Sequence, residues 1–230
     1  MQAERSYDDE EAHNRLRLSD FDIPESLVAQ ALHLGRAAFV EYTADDQAGA
    51  QGYAILTKVV RTLTEATQSG ELSGYTRLSG NQARFFNEKK GMQFITSSSD
   101  DRTGLREGSV PSTLYDKGPQ TRQKVEANRA ILGIVDDSAL FPETLDEVML
   151  PPAEKVLTWI LLYHVLPDGT VRSEFSLPTA CEERSGNKCR ISDWKYRIIL
   201  PEIPPETDIS GMIAPPDPTM YDFTVKRKEE

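Results

Sequence analysis

Six carboxylates in the second half of the chain, Asp136, Asp137, Asp146, Glu147, Asp168 and Glu174, are the side chains best suited to holding a divalent metal. Two or three carboxylates around Mg²⁺, with a lysine close by, activate water and stabilise a leaving phosphate oxygen. That is the chemistry of a metal-dependent nuclease, and Asp136, Asp137, Asp168 and Glu174 are its candidate catalytic residues here. Two features pull the other way. Pro167-Asp168-Gly169 reads as a tight turn, and Glu174 then lies about 20 Å further along an extended strand. No Glu-x-Lys follows, since the sequence there is Ser173-Glu174-Phe175. An ordinary turn followed by a solvated strand face accounts for both residues, so no metal ligand is assigned.

Basic residues gather in the middle. Residues 75–130 hold ten Lys or Arg against six Asp or Glu, whereas residues 1–50 hold four against eleven. Arg77, Arg84, Lys89, Lys90, Arg102 and Arg106 are the candidate ligand-binding residues, interleaved with Tyr75, Asn81 and Gln82. Cations that hold phosphates, beside a ring on which a base can stack, suit a phosphate-rich ligand or single-stranded nucleic acid. A surface that balances the acidic N-terminal region explains the same residues without a ligand.

Other chemistry is thin. His33 falls beside a helical apolar stripe and His164 inside an apolar run, where histidines serve structure; His13 lies in a polar arm. Cys181 and Cys189 flank a polar loop, reading as reduced thiols at a hairpin end that an oxidising compartment would bridge. Their spacing does not suit zinc. No phosphate-binding glycine motif occurs.

The elements that must position these residues follow from periodicity. Helices are expected at about 24–42, with Leu27, Ala31, Leu34 and Ala38 on one face, and at 51–68, with a stripe of Tyr53, Leu56, Val59-Val60 and Leu63. A short helix is expected at 81–90 with Phe85-Phe86 as its buried anchor and Gly91 as its stop, then a strand at 92–97. The polar segment Ser97–Gln120 reads as a long functional loop. A helix from Pro119 or Thr121 to Leu132 and a short one opening at Pro142 come next. The firmest element is a meander over 156–200. Its first strand is almost continuously apolar, its second alternates Val171, Ser173, Phe175 and Leu177 against a wet face with Glu174, and its third puts Trp194, Tyr196 and Ile198 on one side.

The expected fold is α+β, an N-terminal helical part packed on a mostly antiparallel sheet with a C-terminal meander. A polar arm spans 1–20, one domain spans 21–200 with its best sub-boundary near 70–75, and a proline-rich tail spans 201–230. With 230 residues and 38% apolar content the chain can bury a real core. A formal charge of -11 disfavours nonspecific DNA binding by the whole surface. No apolar run is long enough to span a membrane and the N-terminus does not read as a signal peptide, which gives a cytoplasmic expectation and no membrane partner. The preferred reading is an intracellular interaction or regulatory protein that binds a protein partner, with a phosphate-rich or nucleic-acid ligand at the basic middle. It needs no cofactor. The alternatives are a nuclease, which would need Mg²⁺, and a structural subunit of a larger assembly.

Overall fold

A 3-10 turn at Leu18–Phe21 leads into α1 (Glu25–Val40), whose first residue follows Pro24 and whose Leu27, Val28, Ala31, Leu32 and Gly35 are buried. This computed structural model describes residues 16–43, 45–80, 82–106, 110–134 and 156–205. The next helix, α2 (Ala50–Ser69), starts and stops at glycines, Gly49 and Gly70, both in the left-handed region. Its buried side is Ile55, Val59, Thr62, Leu63 and Ala66. The expected stripe was therefore rotated by about one residue, and Tyr53 is exposed. The two helices touch through Gly35, where an added Cβ would lie 2.7 Å from Val59 Cγ2 and 2.9 Å from Ile55 Cγ1.

Six strands follow: β1 (Thr76–Leu78), β2 (Arg84–Asn87), β3 (Met92–Ser98), β4 (Leu157–Val165), β5 (Val171–Arg184) and β6 (Lys188–Ile199), with α3 (Pro119–Ile131) between β3 and β4. They pair in sequence order. Every pairing is antiparallel except β3 with β4, which run parallel. The architecture is α+β, with the N-terminal helices against a mixed, open sheet that ends in a C-terminal meander. Phe85, Phe94, Trp159, Tyr163, Phe175 and Ile198 face the helices α1 and α2. Ile95, Ile160, Leu162, Ile191 and Trp194 face the other way, with Val125 of α3. Both faces are covered, so β4 is mostly apolar, interrupted by Thr158 and His164.

Several expectations give way here. Residues 84–87 form a strand rather than part of a helix at 81–90. Its tandem aromatics alternate, Phe85 fully buried and Phe86 only partly, and the turn at 88–91 ends in Gly91 at φ 58°. Gly91 closes a hairpin turn, a job that looks like a helix stop in sequence. The supposedly wet face of β5 is dry, with Glu174 and Ser176 both fully buried. Register shifts interrupt the β5–β6 ladder between Leu177 and Cys181. Trp194 and Tyr196 therefore pack into opposite clusters instead of sharing a face.

The segment after β3 is a strap bound to the sheet. Ser97 and Ser98 belong to β3, Ser99 pairs with Thr113, and Lys117 pairs with Cys189. Trp194 Nε1 donates to the Pro111 carbonyl at 2.8 Å, and Ser112 Oγ donates to that of Ile191 at 2.9 Å. At the other end Ile203 pairs with Val171. The expected helix at Pro142 and most of the N-terminal arm and proline-rich tail lie outside the described residues.

Candidate functional site

The candidate carboxylates do not assemble. Glu174 accepts from Arg197 Nε at 2.9 Å and Arg197 Nη2 at 2.5 Å, from Ser176 Oγ at 2.7 Å and from the Gly104 amide at 2.9 Å. Both of its oxygens are engaged, tying the strap to the sheet. Asp168 accepts from the Thr170 amide at 2.9 Å, which lowers its pKa and closes the β4–β5 turn. Asp136 and Asp137 lie outside the described residues. Among the described residues no group of three His, Cys, Asp or Glu is placed to hold a metal.

The basic residues scatter. Lys90 pairs with Asp22 at 3.0 Å and donates to the Asp20 carbonyl, pinning the β2–β3 turn to the N-terminal segment. Its neighbour Lys89 is exposed on the same turn. Arg102 is bound to Asp100 within the strap, and that hydrogen bond raises its pKa; Arg106 is exposed further along. Arg77 and Arg84 sit on adjacent strands, β1 and β2, and border different openings. The six residues do not form one patch.

Arg84 belongs to a groove of about 910 Å³ between the β1–β2 edge and α3. The strand side gives Gln82, Arg84, Phe86 and Gln93, and the helix side gives Gln120, Thr121, Gln123, Lys124 and Ala127. Residues 120, 123, 124 and 127 recur at helical spacing, so this wall is the polar side of α3. Asn128 sets the wall in place. Its Nδ2 donates to the Thr158 and Pro178 carbonyls at 2.9 and 3.0 Å, and its Oδ1 accepts from the Thr158 amide at 2.8 Å.

Electrostatically the groove is one-sided. Among the described residues no carboxylate lines it. Burial and then the charge of Arg84 push the Lys124 pKa down, which is what two cations do when no anion separates them. The Arg84 side chain has no hydrogen bond or ion pair among the described residues. Lys124 reaches only the Gln120 carbonyl, at 3.5 Å. An anion entering here would relieve that repulsion. The sequence reading reached Arg84 and Gln82 but missed Lys124, Gln120 and Gln123, whose spacing on one helix was the available signal.

The thiols of Cys181 and Cys189 are unbridged, with sulfurs 3.0 Å apart diagonally across β5 and β6. Burial, reinforced by the contact with Cys189, pushes the Cys181 pKa up. His33 is buried, which lowers its pKa, as does nearby Arg36. Comparison with protein-family models, curated proteins and solved structures returns no match. Among the described residues no helix is long and apolar enough to cross a membrane.

Proposed function

We propose that the protein is a non-enzymatic interaction protein that adds an extended acidic segment of a partner protein to the outer edge of β1. The single observation that carries this reading is the groove's lining, which among the described residues holds two cations and no carboxylate in a chain of net charge -11. The position of the groove selects the kind of occupant. Among the described residues β1 is the terminal strand of the sheet, so its outer backbone groups can pair with an incoming strand. A second opening of about 720 Å³, with Leu56, Val60, Arg61 and Arg77 among its walls, borders the same strand from the α2 side. Gly80 and Gln82 border both openings. Side chains of an added strand alternate between faces. Acidic residues would enter the Arg84–Lys124 side, and the residues between them would meet Leu56 and Val60.

Fluorescence anisotropy with a labelled peptide of alternating Glu and Val tests this. Binding that falls at least about tenfold in the pair R84E and K124E, or about 1.4 kcal/mol, and that is absent for a Lys–Val peptide, supports the reading. Equal binding by the variant overturns it. Tighter binding of a single-stranded oligonucleotide at the same residues would replace the acidic peptide with a nucleic acid. Neither the nuclease nor the assembly-subunit reading has an observation of its own among the described residues.

A further inference from the structure

The only parallel pair among the described strands, β3 and β4, ends beside the start of α2, and the space between is a cavity of about 360 Å³. Crevices outside the carboxyl ends of parallel strands are where open sheets hold ligands. This volume is at the small end of the range for such sites. Phe39, Ile55, Leu114 and Val165 supply apolar wall. Around it the surface is unusually greasy. Val40, Tyr42, Tyr53, Leu114 and Tyr115 are five of the six exposed large apolar side chains among the described residues, and all lie in or one residue beyond the segments lining this cavity.

Two sets of hydrogen-bond donors meet there without acceptors. Tyr163 is 2% exposed and lines the cavity. Among the described residues its hydroxyl makes no hydrogen bond, yet it is not among their fully enclosed unpaired polar atoms, which are Thr113 Oγ1 and Ser173 Oγ. It therefore opens into the cavity. Burial and the neighbouring Tyr115 raise its pKa, so it stays a phenol and a donor. The second set is the first turn of α2. Gly49 has no side chain to cap it, Ala50 N–H is taken by the Gln47 carbonyl and Tyr53 N–H by that of Gly49. The amides of Gln51 and Gly52 have no backbone acceptor among the described residues, and a helix start favours negative charge. Tyr115 links the two sets, its hydroxyl 4.0 Å from the position of a Cβ on Gly52. His164 Nδ1 donates to the Ser99 carbonyl at 2.9 Å on the adjoining wall.

We infer that this cavity is a binding site for a small monocarboxylate with an apolar body, its oxygens received by the Tyr163 hydroxyl and the Gln51 and Gly52 amides. Among the described residues no lysine or arginine lines the cavity, and the one acidic group, Asp46, is engaged by the amide and hydroxyl of Thr43. A doubly charged phosphate would find no cation there. A carboxylate matches the neutral donors, and the apolar walls take the rest of the molecule. The site stands apart from the β1 groove and does not rest on it.

The test uses benzoate as probe on the full chain, read by amide resonances and by calorimetry. Saturable binding at millimolar concentration, with the Gln51 and Gly52 amides shifted most, is expected. Y163F should bind at least tenfold more weakly; it removes a hydroxyl with no partner among the described residues, so its fold should be intact. The pair R84E and K124E should bind benzoate like the wild type. No shift at Gln51 and Gly52, equal binding by Y163F, or a stronger response of the same amides to inorganic phosphate would each overturn the assignment.

Discussion

The groove beside β1 and the cavity beyond β3 and β4 are walled by the same sheet but attract negative charge by different means. In the groove, Arg84 and Lys124 are partly exposed side-chain cations at an opening of about 910 Å³. In the cavity, less than half as large, the donors are a buried phenol and the fixed amides of a helix start. Exposed charges act over a distance but are screened by salt. Buried dipoles act only at contact and are screened much less. Raising ionic strength should thus weaken the acidic peptide steeply and benzoate hardly at all. Parallel loss of both would remove the physical distinction between the two sites.

The largest expected effect strikes the scaffold the two openings share. Arg197→Met would leave the fully buried Glu174 carboxylate without its bidentate partner. Breaking such a pair from one side costs about 3–5 kcal/mol, so urea unfolding should register a loss of that size and both ligands should bind less well. A loss below about 1 kcal/mol would mean that the strap does not depend on Glu174.

The next change separates the regions. Asn128→Leu would strip partners from the Thr158 amide and from two buried carbonyls. Each orphaned buried group costs about 1–3 kcal/mol, and because Asn128 seats α3, peptide binding in the groove should suffer while benzoate binding persists. Gly35→Ala acts on the opposite side, forcing a methyl against Val59 and Ile55. Overpacking costs about 1–3 kcal/mol, and here it parts α1 from α2, so the cavity should loosen and the groove should not. If both variants impaired both ligands equally, the two sites would not be structurally independent.

Local pattern made some of this molecule legible and long-range geometry hid the rest. Helices α1, α2 and α3 and the meander follow from periodicity and glycine stops, since those signals act over a few residues. Arg84-Phe85-Phe86-Asn87 misled because tandem aromatics before a glycine suit a helix as well as a short strand, and only pairing with Gln93 and Phe94 decides. The dry face of β5 could not be read from alternation, because what covers Glu174 is a strap from residues 100–106. Trp194 and Tyr196 part company through bulges that leave no mark on spacing. The groove was half visible through Arg84. The cavity was invisible, since Tyr163 reads as one more apolar residue in β4 and its neighbours come from three distant segments.

Lys117 stands at the junction of the two regions, two residues after Tyr115 on the cavity rim and one before the Gly118 that precedes α3. Its Nζ donates to Ser97 Oγ at 2.7 Å, and burial lowers its pKa from 10.5 to about 8, opposed in part by Cys189. The sign follows from proton counting. Between about pH 8 and 10.5 the unfolded chain holds a proton that the folded chain has released, so this lysine makes stability rise with pH across that window and contributes no slope well below it. The Lys117→Met variant, which keeps the volume and removes the charge, should lack that rise. Because the side chain is only partly enclosed, the difference in slope should stay below the limit of about 1.4 kcal/mol per pH unit, the smallest effect expected here. Urea midpoints of the two proteins at pH 7, 8 and 9 measure it, with Y163F as a control in the cavity. A wild-type curve that stays parallel to that of Lys117→Met would mean the ammonium is solvated in the folded state, and the link between rim and groove would then be the Lys117–Cys189 backbone pairing alone.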